Sequence, residues 1–216
     1  MPRPVFPKSI DKYVRIGLAL LGAGALAGAG AYTYFAHPNF TETGYTPTQP
    51  VRYSHKLHAG QLGIDCLYCH YTVNKAGYAA IPTTEVCMNC HAQVKPQSGL
   101  LQLVRDSYAK GNSIPWVKVH RLPDFVYFNH QAHVTNGVSC VSCHGRVDQM
   151  IEVKQVEPLN MAWCLDCHRN PAPRLRPVEH VTNLAWIPDR DPAAIGHEII
   201  RAKNINPPQN CSGCHR

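Results

Sequence analysis

All ten cysteines of this 216-residue chain stand in five copies of one pattern, Cys-x-x-Cys-His. The copies, called motifs 1 to 5, span residues 66–70, 87–91, 140–144, 164–168 and 211–215. This is the attachment pattern of c-type haem, because two thiols one helical turn apart can bond one porphyrin while the next imidazole binds its iron. Zinc sites and exported disulfide proteins also pair cysteines, but neither requires the adjacent histidine. We therefore predict five covalent haems c.

Each motif supplies three predicted haem-binding residues. The two cysteines form the thioether bonds, and the histidine is the proximal iron ligand. The full set is Cys66, Cys69, His70, Cys87, Cys90, His91, Cys140, Cys143, His144, Cys164, Cys167, His168, Cys211, Cys214 and His215.

Histidines recur ahead of motifs 1 and 3. The segments YSHKLHAGQLGIDCLYCH and FNHQAHVTNGVSCVSCH both place an aromatic residue, a small polar residue and two histidines three positions apart before the motif. Residues three apart on a helical turn project from nearly one side. Both pairs can therefore reach iron from the face opposite a motif histidine, which predicts mostly or entirely bis-histidine ligation. The four predicted distal ligands are His55, His58, His130 and His133.

The fifth distal ligand stays open at the level of sequence. Eight histidines lie outside the motifs, so they exceed the five sixth ligands that five irons need, and this argues against an open coordination site. His120 is the predicted ligand and His197 the next candidate. Met161 would instead give a His/Met site of higher potential.

An uncharged stretch near the N-terminus is long enough to cross a membrane. Residues 16–36 carry no charge over 21 positions, and a helix of that length spans a hydrocarbon core of about 30 Å. Basic residues within 1–15 predict a cytoplasmic N-terminus, which puts the rest on the periplasmic side of a bacterial inner membrane. Tyr32, Tyr34 and Phe35 would lie at the outer interface. A cleaved secretory signal is the alternative.

The rest of the chain divides into a linker and a haem domain. Residues 37–50 are polar and end in proline, which is typical of a linker. The first cysteines of the motifs, at 66, 87, 140, 164 and 211, alternate short and long intervals, as a duplicated two-haem unit would. The extracytoplasmic domain 51–216 is thus predicted to hold a first module at about 51–115, a second at about 118–170 and a fifth-haem segment at 171–216.

Regular secondary structure is predicted to be sparse in that domain. Short helices are expected over 99–111 and 192–204, the second with proline in its first turn. The remainder carries many of the 18 prolines, which disfavours long sheets. The expected fold class is a multihaem c-type cytochrome of loops and short α-helices organised around five haems, with one N-terminal transmembrane helix.

The formal charge of +7 does not indicate nucleic-acid binding. Each haem brings two propionates, and the cations are scattered instead of forming the stripe that phosphate binding needs. No nucleic-acid partner is expected.

Five haems in so small a domain must lie close together. About 180 residues fold to a radius of gyration of about 16 Å, so electrons can hop between neighbouring porphyrins. With both axial positions filled, the chain is expected to carry electrons and not to be an enzyme by itself.

Two competing interpretations remain. One is a stand-alone membrane-anchored quinol dehydrogenase cytochrome feeding a periplasmic reductase, and the other is a multihaem enzyme acting on nitrite or hydroxylamine.

Several segments resemble a known family. SHKLHAGQLGIDCLYCH, VHRLPDFVYFNHQAHV, MAWCLDCHRNP and CSGCHR look like the membrane-anchored pentahaem cytochrome c subunits of bacterial alternative complex III, a quinol:electron acceptor oxidoreductase. The resemblance covers nearly the whole chain. It implies a membrane quinol-oxidising subunit, an iron-sulfur subunit and a monohaem cytochrome c as partners, and a soluble electron acceptor.

The two double-histidine segments also resemble class III cytochromes. That resemblance implies that His55 faces His70 across one iron and that His130 faces His144. It further implies that the second histidine of each pair reaches another iron.

Overall fold

The computed structural model describes residues 6–7 and 9–215, which fall into two compact units divided between Thr41 and Glu42. Two basic residues of the predicted leader, Arg3 and Lys8, lie outside the described residues. The α-helices are α1 Ser9–Phe35, α2 Pro38–Thr41, α3 Cys66–Cys69, α4 Thr84–His91, α5 Gln102–Lys110, α6 His130–Val134, α7 Val141–His144, α8 Met161–Arg169, α9 Pro192–Lys203 and α10 Cys211–Cys214. Other helical turns are a π-helix at Lys56–Gln61 and 3-10 turns at Gly99–Leu101, Val147–Gln149, Ala172–Arg174 and Val178–His180.

The N-terminal unit is built on α1, one continuous helix of 27 residues. It contains all but the last residue of the predicted span 16–36 and begins seven positions earlier. By length and composition it can cross a membrane. At its C-terminal end the Tyr34 ring packs 5.2 Å from Phe35 and 4.4 Å from Phe40, centroid to centroid. Aromatic rings gathered at one end of an apolar helix are typical of a membrane interface.

In the larger unit every motif lies on a short helix that is four to nine residues long. Asp or Asn residues begin four of the helices that carry motifs or histidine pairs. The side chains of Asp65, Asn129, Asn160 and Asn210 accept hydrogen bonds from backbone N–H groups of α3, α6, α8 and α10. Such caps satisfy N–H groups that have no partner within the helix. Local sequence therefore starts these helices, although they are too short to be stable alone.

Both helices predicted from the sequence pattern are confirmed. A 3-10 turn at Gly99–Leu101 runs into α5, which ends at Gly111 in the left-handed conformation, φ 66°. α9 begins after Asp191, whose carboxylate accepts from two backbone N–H groups, and ends at Asn204 with φ 50°. Left-handed residues at this position let the chain leave a helix with its last carbonyls paired.

Side chains alone give this unit only a small core. The buried hydrophobic residues are Val51, Val104, Ile114, Ala172, Leu175, Val181, Leu184 and Ile195. Large apolar side chains remain exposed in the same unit, with Tyr78 at 72% and Leu62 at 62%. A soluble domain of this length normally buries much more apolar surface. The composition of the core thus fits a fold that is completed by a bulky apolar group.

The two modules exchange equivalent hydrogen bonds. The backbone N–H of Lys56, at the start of the π-helix in the first module, donates to Met150 O at 2.9 Å. The backbone N–H of Gln131, in the matching position of α6, donates to Ala76 O at 3.2 Å. Both accepting residues lie six positions after a motif histidine, that of motif 3 or motif 1. Each histidine-bearing helix therefore rests on the loop that follows the other module's first motif.

The C-terminal segment ties motifs 1 and 3 together. Val181 O accepts from the Ser139 hydroxyl at 2.7 Å and from the Cys140 N–H at 3.4 Å. The next carbonyl, Thr182 O, accepts a weak hydrogen bond from the Cys66 thiol at 3.8 Å. Ser139 and Val181 are almost completely buried. One short stretch thus fixes the first cysteines of both motifs.

Candidate haem-binding site

All ten motif cysteines are free thiols in the structure, which leaves each available for a thioether bond. Across residues 6–7 and 9–215, no group of three or more His, Cys, Asp or Glu side chains is arranged to hold a metal ion. A structural zinc site needs about four such ligands. A porphyrin needs only thiols for attachment and axial ligands from the protein.

Most of the predicted iron ligands have one ring nitrogen held by a backbone carbonyl. A carbonyl can only accept, so Nδ1 carries the proton and Nε2 keeps its lone pair for a metal. The Nδ1 contacts are His58 to Ser54 O (2.9 Å), His70 to Ala80 O (3.2 Å), His91 to Val94 O (2.9 Å), His130 to Gly77 O (3.2 Å), His133 to Asn129 O (2.7 Å), His168 to Pro208 O (2.6 Å) and His215 to Phe125 O (3.3 Å). The same tautomer is thereby set at seven imidazoles.

Three motif histidines each face a histidine from outside the motifs. The ring-centroid separations are 6.2 Å for His58 and His91, 6.5 Å for His130 and His144, and 6.1 Å for His133 and His168. The planes of the His130 and His144 rings are within 9° of parallel. Two imidazoles that bind one metal at about 2 Å from each side have centroids about 6 Å apart. These separations fit axial ligands on the two faces of one haem.

His55 lies in the same environment as its counterpart His130 but lacks a partner at Nδ1, which is buried. Burial, and next the nearby His70, lower the pKa of His55 to about 4. Its imidazole is therefore neutral at physiological pH, the form that binds metal. The structure thus brings His55 near the motif 1 histidine, the pairing that the class III resemblance implies.

An aromatic ring packs against both histidines of each pair. Tyr53 stacks on His58 at 4.4 Å and meets His55 edge-on at 4.8 Å. Phe128 repeats this arrangement with His133 at 4.5 Å and His130 at 4.7 Å. The sequence pattern contains the aromatic residue in both segments but does not by itself indicate its role. Its recurrence two residues before the first histidine was the signal for a ring that orients both imidazoles.

His120 lies beside His144. Its Nε2 is 3.3 Å from His144 Nδ1, and the rings are nearly perpendicular with centroids 4.3 Å apart. Burial, followed by His120 and other nearby histidines, lowers the pKa of His144 to about 3. Burial also lowers the pKa of His120, with His130 as the next cause. His120 therefore lies on the Nδ1 side of the motif 3 histidine. A centroid separation of 4.3 Å is too short for the two rings to bind one iron between them.

The fifth motif has different surroundings. The His215 ring lies 5.6 Å from Phe125, and Val126 forms an isolated antiparallel bridge with His215. The two other candidates for its distal ligand are exposed: Met161 is the first residue of α8 and is 65% exposed, and His197 lies on α9. The contacts described for His215 thus come from the strand-like segment before the second histidine pair.

The thiols of different motifs are close enough to influence one another. Burial raises the pKa of Cys143 to about 12, and the thiols of Cys167 and Cys164 in motif 4 contribute further. Burial raises the pKa of Cys66 to about 11, with Cys140 of motif 3 as the next cause. The attachment positions of neighbouring motifs therefore lie side by side.

Two comparisons with known proteins agree with this geometry. Residues 126–216 match the family described as cytochrome c7 and related cytochrome c. A stretch of 99 residues is 33% identical to the menaquinone reductase multiheme cytochrome c subunit of Nitratidesulfovibrio vulgaris (strain Hildenborough), covering 44% of this chain and 45% of that protein. The chain thus matches less than half of that relative's length. Residues 126–216 are thus similar to cytochrome c7 and related cytochromes c, and a stretch of 99 residues is similar to a multihaem cytochrome c subunit.

Proposed function

We propose that this chain is an electron-transfer subunit that carries electrons through five covalently bound haems c within a membrane quinol:acceptor oxidoreductase complex. The observation that carries the proposal is the set of three histidine pairs with centroids 6.1 to 6.5 Å apart, each joining a motif histidine to a histidine from outside the motifs. When haem is bound, the two histidines of each pair would hold it from opposite faces, and iron held in this way would offer no free position to a substrate.

The side chains hold and orient the cofactor. Haem supplies a one-electron Fe(III)/Fe(II) couple when it is bound, and bis-histidine ligation gives it a lower potential than His/Met ligation. Backbone carbonyls at Nδ1 fix the ring orientation and raise the basicity of Nε2. Tyr53 and Phe128 restrict rotation of the paired imidazoles. Because these groups are in position before an electron arrives, little reorganisation is needed on transfer.

The α1 helix is proposed as an uncleaved membrane anchor with a cytoplasmic N-terminus. Its 27 residues exceed the roughly 20 needed to cross the bilayer. N-terminal sequencing of the mature protein tests this proposal. A sequence that starts near residue 37 would show that α1 belongs to a cleaved signal and that the haem domain is released from the membrane.

The proposed partners are a membrane quinol-oxidising subunit, an iron-sulfur subunit, a monohaem cytochrome c and a soluble acceptor. Support comes from the resemblance of the motif segments to alternative complex III subunits. The relative from Nitratidesulfovibrio vulgaris is named a menaquinone reductase subunit, and this favours a second candidate in which electrons flow toward the quinone. Both candidates place the chain between a quinone site and a redox partner outside the membrane.

Four measurements test the function. Pyridine haemochrome analysis of the purified chain should give five haems c, and electron paramagnetic resonance should show low-spin ferric iron. A stoichiometric high-spin signal that responds to nitrite would favour the multihaem enzyme instead. Reduction of the haems by menaquinol should require the complete complex, so rapid reduction of the isolated chain would support a stand-alone quinol dehydrogenase. If the complex reduces quinone with a low-potential electron donor but does not oxidise quinol, electrons flow toward the quinone, as in the second candidate.

A further inference from the structure

We propose that the side-chain amide of Gln155 binds a propionate of the haem attached at motif 3. The proposal rests on the haem content of the proposed function and deepens it, because it assigns a cofactor contact to a residue outside the motifs and the histidine pairs. Three properties of Gln155 support it: the burial of its side chain, the lack of a partner for its Nε2 atom among the described residues, and its place beside motif 3.

Gln155 is almost completely buried, with 3% of its surface exposed. Ser107 and Ser139 are buried to a similar degree, and the hydroxyl of each donates to a backbone carbonyl, Asn112 O and Val181 O respectively. The buried Nε2 atom of Gln155, by contrast, has no hydrogen-bond partner within residues 6–7 and 9–215. Buried polar groups nearly always have a partner, and an amide nitrogen can only donate. The position therefore requires an acceptor that the described part of the chain does not supply.

A strap, residues 44–49, covers the backbone of Gln155. The Gln155 N–H donates to Tyr45 O at 3.0 Å, and Gln155 O accepts from the Gly44 N–H at 2.7 Å. At the other end of the strap, the Gln49 side chain exchanges two hydrogen bonds with the backbone of Val117, at 2.8 and 2.9 Å. Both ends of the strap are thus fixed within the larger unit. Because both backbone groups of Gln155 are paired with the strap, its side-chain amide is the group left to bind a further molecule.

Gln155 lies beside motif 3. The next residue, Val156, packs on Gly145, which directly follows the motif 3 histidine, and a methyl group added at Gly145 would lie 2.8 Å from a methyl carbon of Val156. Gly145 also has φ 66°, a conformation that favours glycine. Val156 therefore reaches the end of the motif 3 helix. Consecutive Cα atoms are about 3.8 Å apart, which puts the Gln155 side chain within reach of a porphyrin held by motif 3.

A propionate suits this donor. A buried carboxylate is costly unless donors are bonded to it. Arg146, the cation nearest in sequence to the motif 3 histidine, already donates two hydrogen bonds to Asp148, at 2.6 and 2.8 Å. The Gln155 amide offers a neutral donor in a place that is shielded from solvent. A hydrogen bond to an ionised acceptor is stronger than one between neutral groups, so a propionate is favoured over an ordered water molecule.

Gln155→Met tests the bond, because methionine keeps the length of the side chain and removes both N–H donors. Gln97→Met is the matched control, since Gln97 is an exposed glutamine in the same unit. Resonance Raman spectra of the haem-loaded, full-length proteins report the propionate bending bands, which respond to hydrogen bonding. We expect the band of one haem to shift in Gln155→Met and no band to shift in Gln97→Met. Unchanged bands in Gln155→Met overturn the proposal and indicate a water molecule or another acceptor at Nε2.

Two further measurements identify the haem and observe the bond directly. In NMR spectra assigned haem by haem, the propionate signals that move in Gln155→Met should belong to the haem bonded to Cys140 and Cys143. Movement at a different haem overturns the assignment to motif 3. A structure of the haem-loaded wild-type protein should place Nε2 about 2.7–3.2 Å from a propionate oxygen, and a water molecule in that place overturns the proposal. Fewer than five haems would instead contradict the proposed haem content, which pyridine haemochrome analysis measures separately.

Stability changes in opposite directions for a bonded and an unbonded amide. Replacing a buried polar group that has no partner by an apolar group of the same shape is neutral or stabilising, whereas removing the donor of an ionised acceptor is destabilising. Gln155→Met should therefore raise the equilibrium constant for unfolding of the haem-loaded protein by about 10- to 100-fold. Gln97→Met should change this constant by no more than about twofold. Chemical denaturation measures both constants, and an unchanged or smaller constant in Gln155→Met contradicts the proposal.

Discussion

The two modules are built alike around their histidine pairs, and they differ at the first histidine of each pair. Tyr53 and Phe128 contact their paired imidazoles at distances that agree within 0.1 Å. The Nδ1 of His130 donates to Gly77 O, whereas the Nδ1 of His55 is buried without a partner. Ile151 occupies the position in the second module that Gly77 occupies in the first. The two modules therefore share the ring contacts around the histidine pair, but only the second has a backbone acceptor for the Nδ1 of the first histidine.

This difference affects how firmly each imidazole is held. A buried polar atom without a partner costs about 1–3 kcal/mol, so the first module has a less firmly held imidazole than the second. An iron ligand that lacks its Nδ1 hydrogen bond is also less basic at Nε2. The proposed distal ligand of the second module thus has a hydrogen bond at Nδ1, and that of the first module lacks one.

The largest expected effect comes from removing either first histidine. His55→Ala and His130→Ala should each keep five covalent haems, because the thioether bonds are unchanged. Each should convert about one-fifth of the iron from low-spin to high-spin, since one axial position is lost. Electron paramagnetic resonance with a haemochrome count measures both quantities.

His180→Ala serves as the control, because the His180 ring stacks on Trp186 at 5.2 Å instead of facing a motif histidine. It should leave all five irons low-spin. A low-spin spectrum in the His55 or His130 variant would remove that residue from the set of ligands. A high-spin fraction in one variant only would show that the modules differ in ligation and not merely in hydrogen bonding.

A smaller effect is expected where the modules touch. In Gly60→Ala the added methyl group would collide with the backbone carbonyl of Asp148. In the same loop, two hydrogen bonds from Arg146, at 2.6 and 2.8 Å, hold the Asp148 side chain. Overpacking of this kind costs about 1–3 kcal/mol.

Chemical denaturation of the haem-loaded chain measures the loss of stability in this variant. Gly99→Ala is the matched control, because no atom lies within 4 Å of the position that its methyl group would occupy. Its free energy of unfolding should change by less than about 0.5 kcal/mol. Equal stability of the two variants would show that the π-helix and the loop after motif 3 do not pack tightly in the loaded protein.

A third prediction concerns the proximal imidazoles, which have a backbone partner in one module and a side-chain partner in the other. The Nδ1 of His70 donates to Ala80 O, whereas that of His144 lies 3.3 Å from His120 Nε2. His120→Ala removes a hydrogen bond worth about 1 kcal/mol. The potential responds only to the difference in this bond between ferric and ferrous iron, so the largest expected shift is about 40 mV for a one-electron couple. Spectroelectrochemistry should show one haem shifted by up to this amount, with all five irons still low-spin.

The same variant decides between two roles for His120. If His120 is instead the fifth distal ligand, as the sequence predicts, His120→Ala produces a high-spin iron. His120→Gln restores a hydrogen-bond acceptor but not an iron ligand, so it should recover most of the potential if His120 supports His144. Failure of glutamine to recover the potential, together with a high-spin signal, would establish ligation.

The proposed attachment residues are visible in the sequence because thioether chemistry requires cysteine and histidine at fixed spacing within five consecutive positions. The histidine pairs were equally visible, since each lies on one helical turn. The contact between His120 and His144 was not, because it joins residues 24 positions apart through the path of the loop between them. The hydrogen bonds between the modules also leave no signal in the sequence. Their acceptors are the backbone carbonyls of Met150 and Ala76, and any residue supplies such a carbonyl.

The smallest effect is expected from exchanging the aromatic rings themselves. Tyr53→Phe and Phe128→Tyr keep the ring that stacks on the second histidine and meets the first edge-on. Contacts of this kind contribute about 0.5–1.5 kcal/mol through the ring and not the hydroxyl. Both variants should therefore change stability by less than about 0.5 kcal/mol and leave the low-spin g-values unchanged, whereas Tyr53→Ala and Phe128→Ala should broaden the signals of two irons each. If Tyr53→Phe alone alters the spectrum, the hydroxyl is a functional difference between the modules, and their likeness extends only to the stacking of the rings.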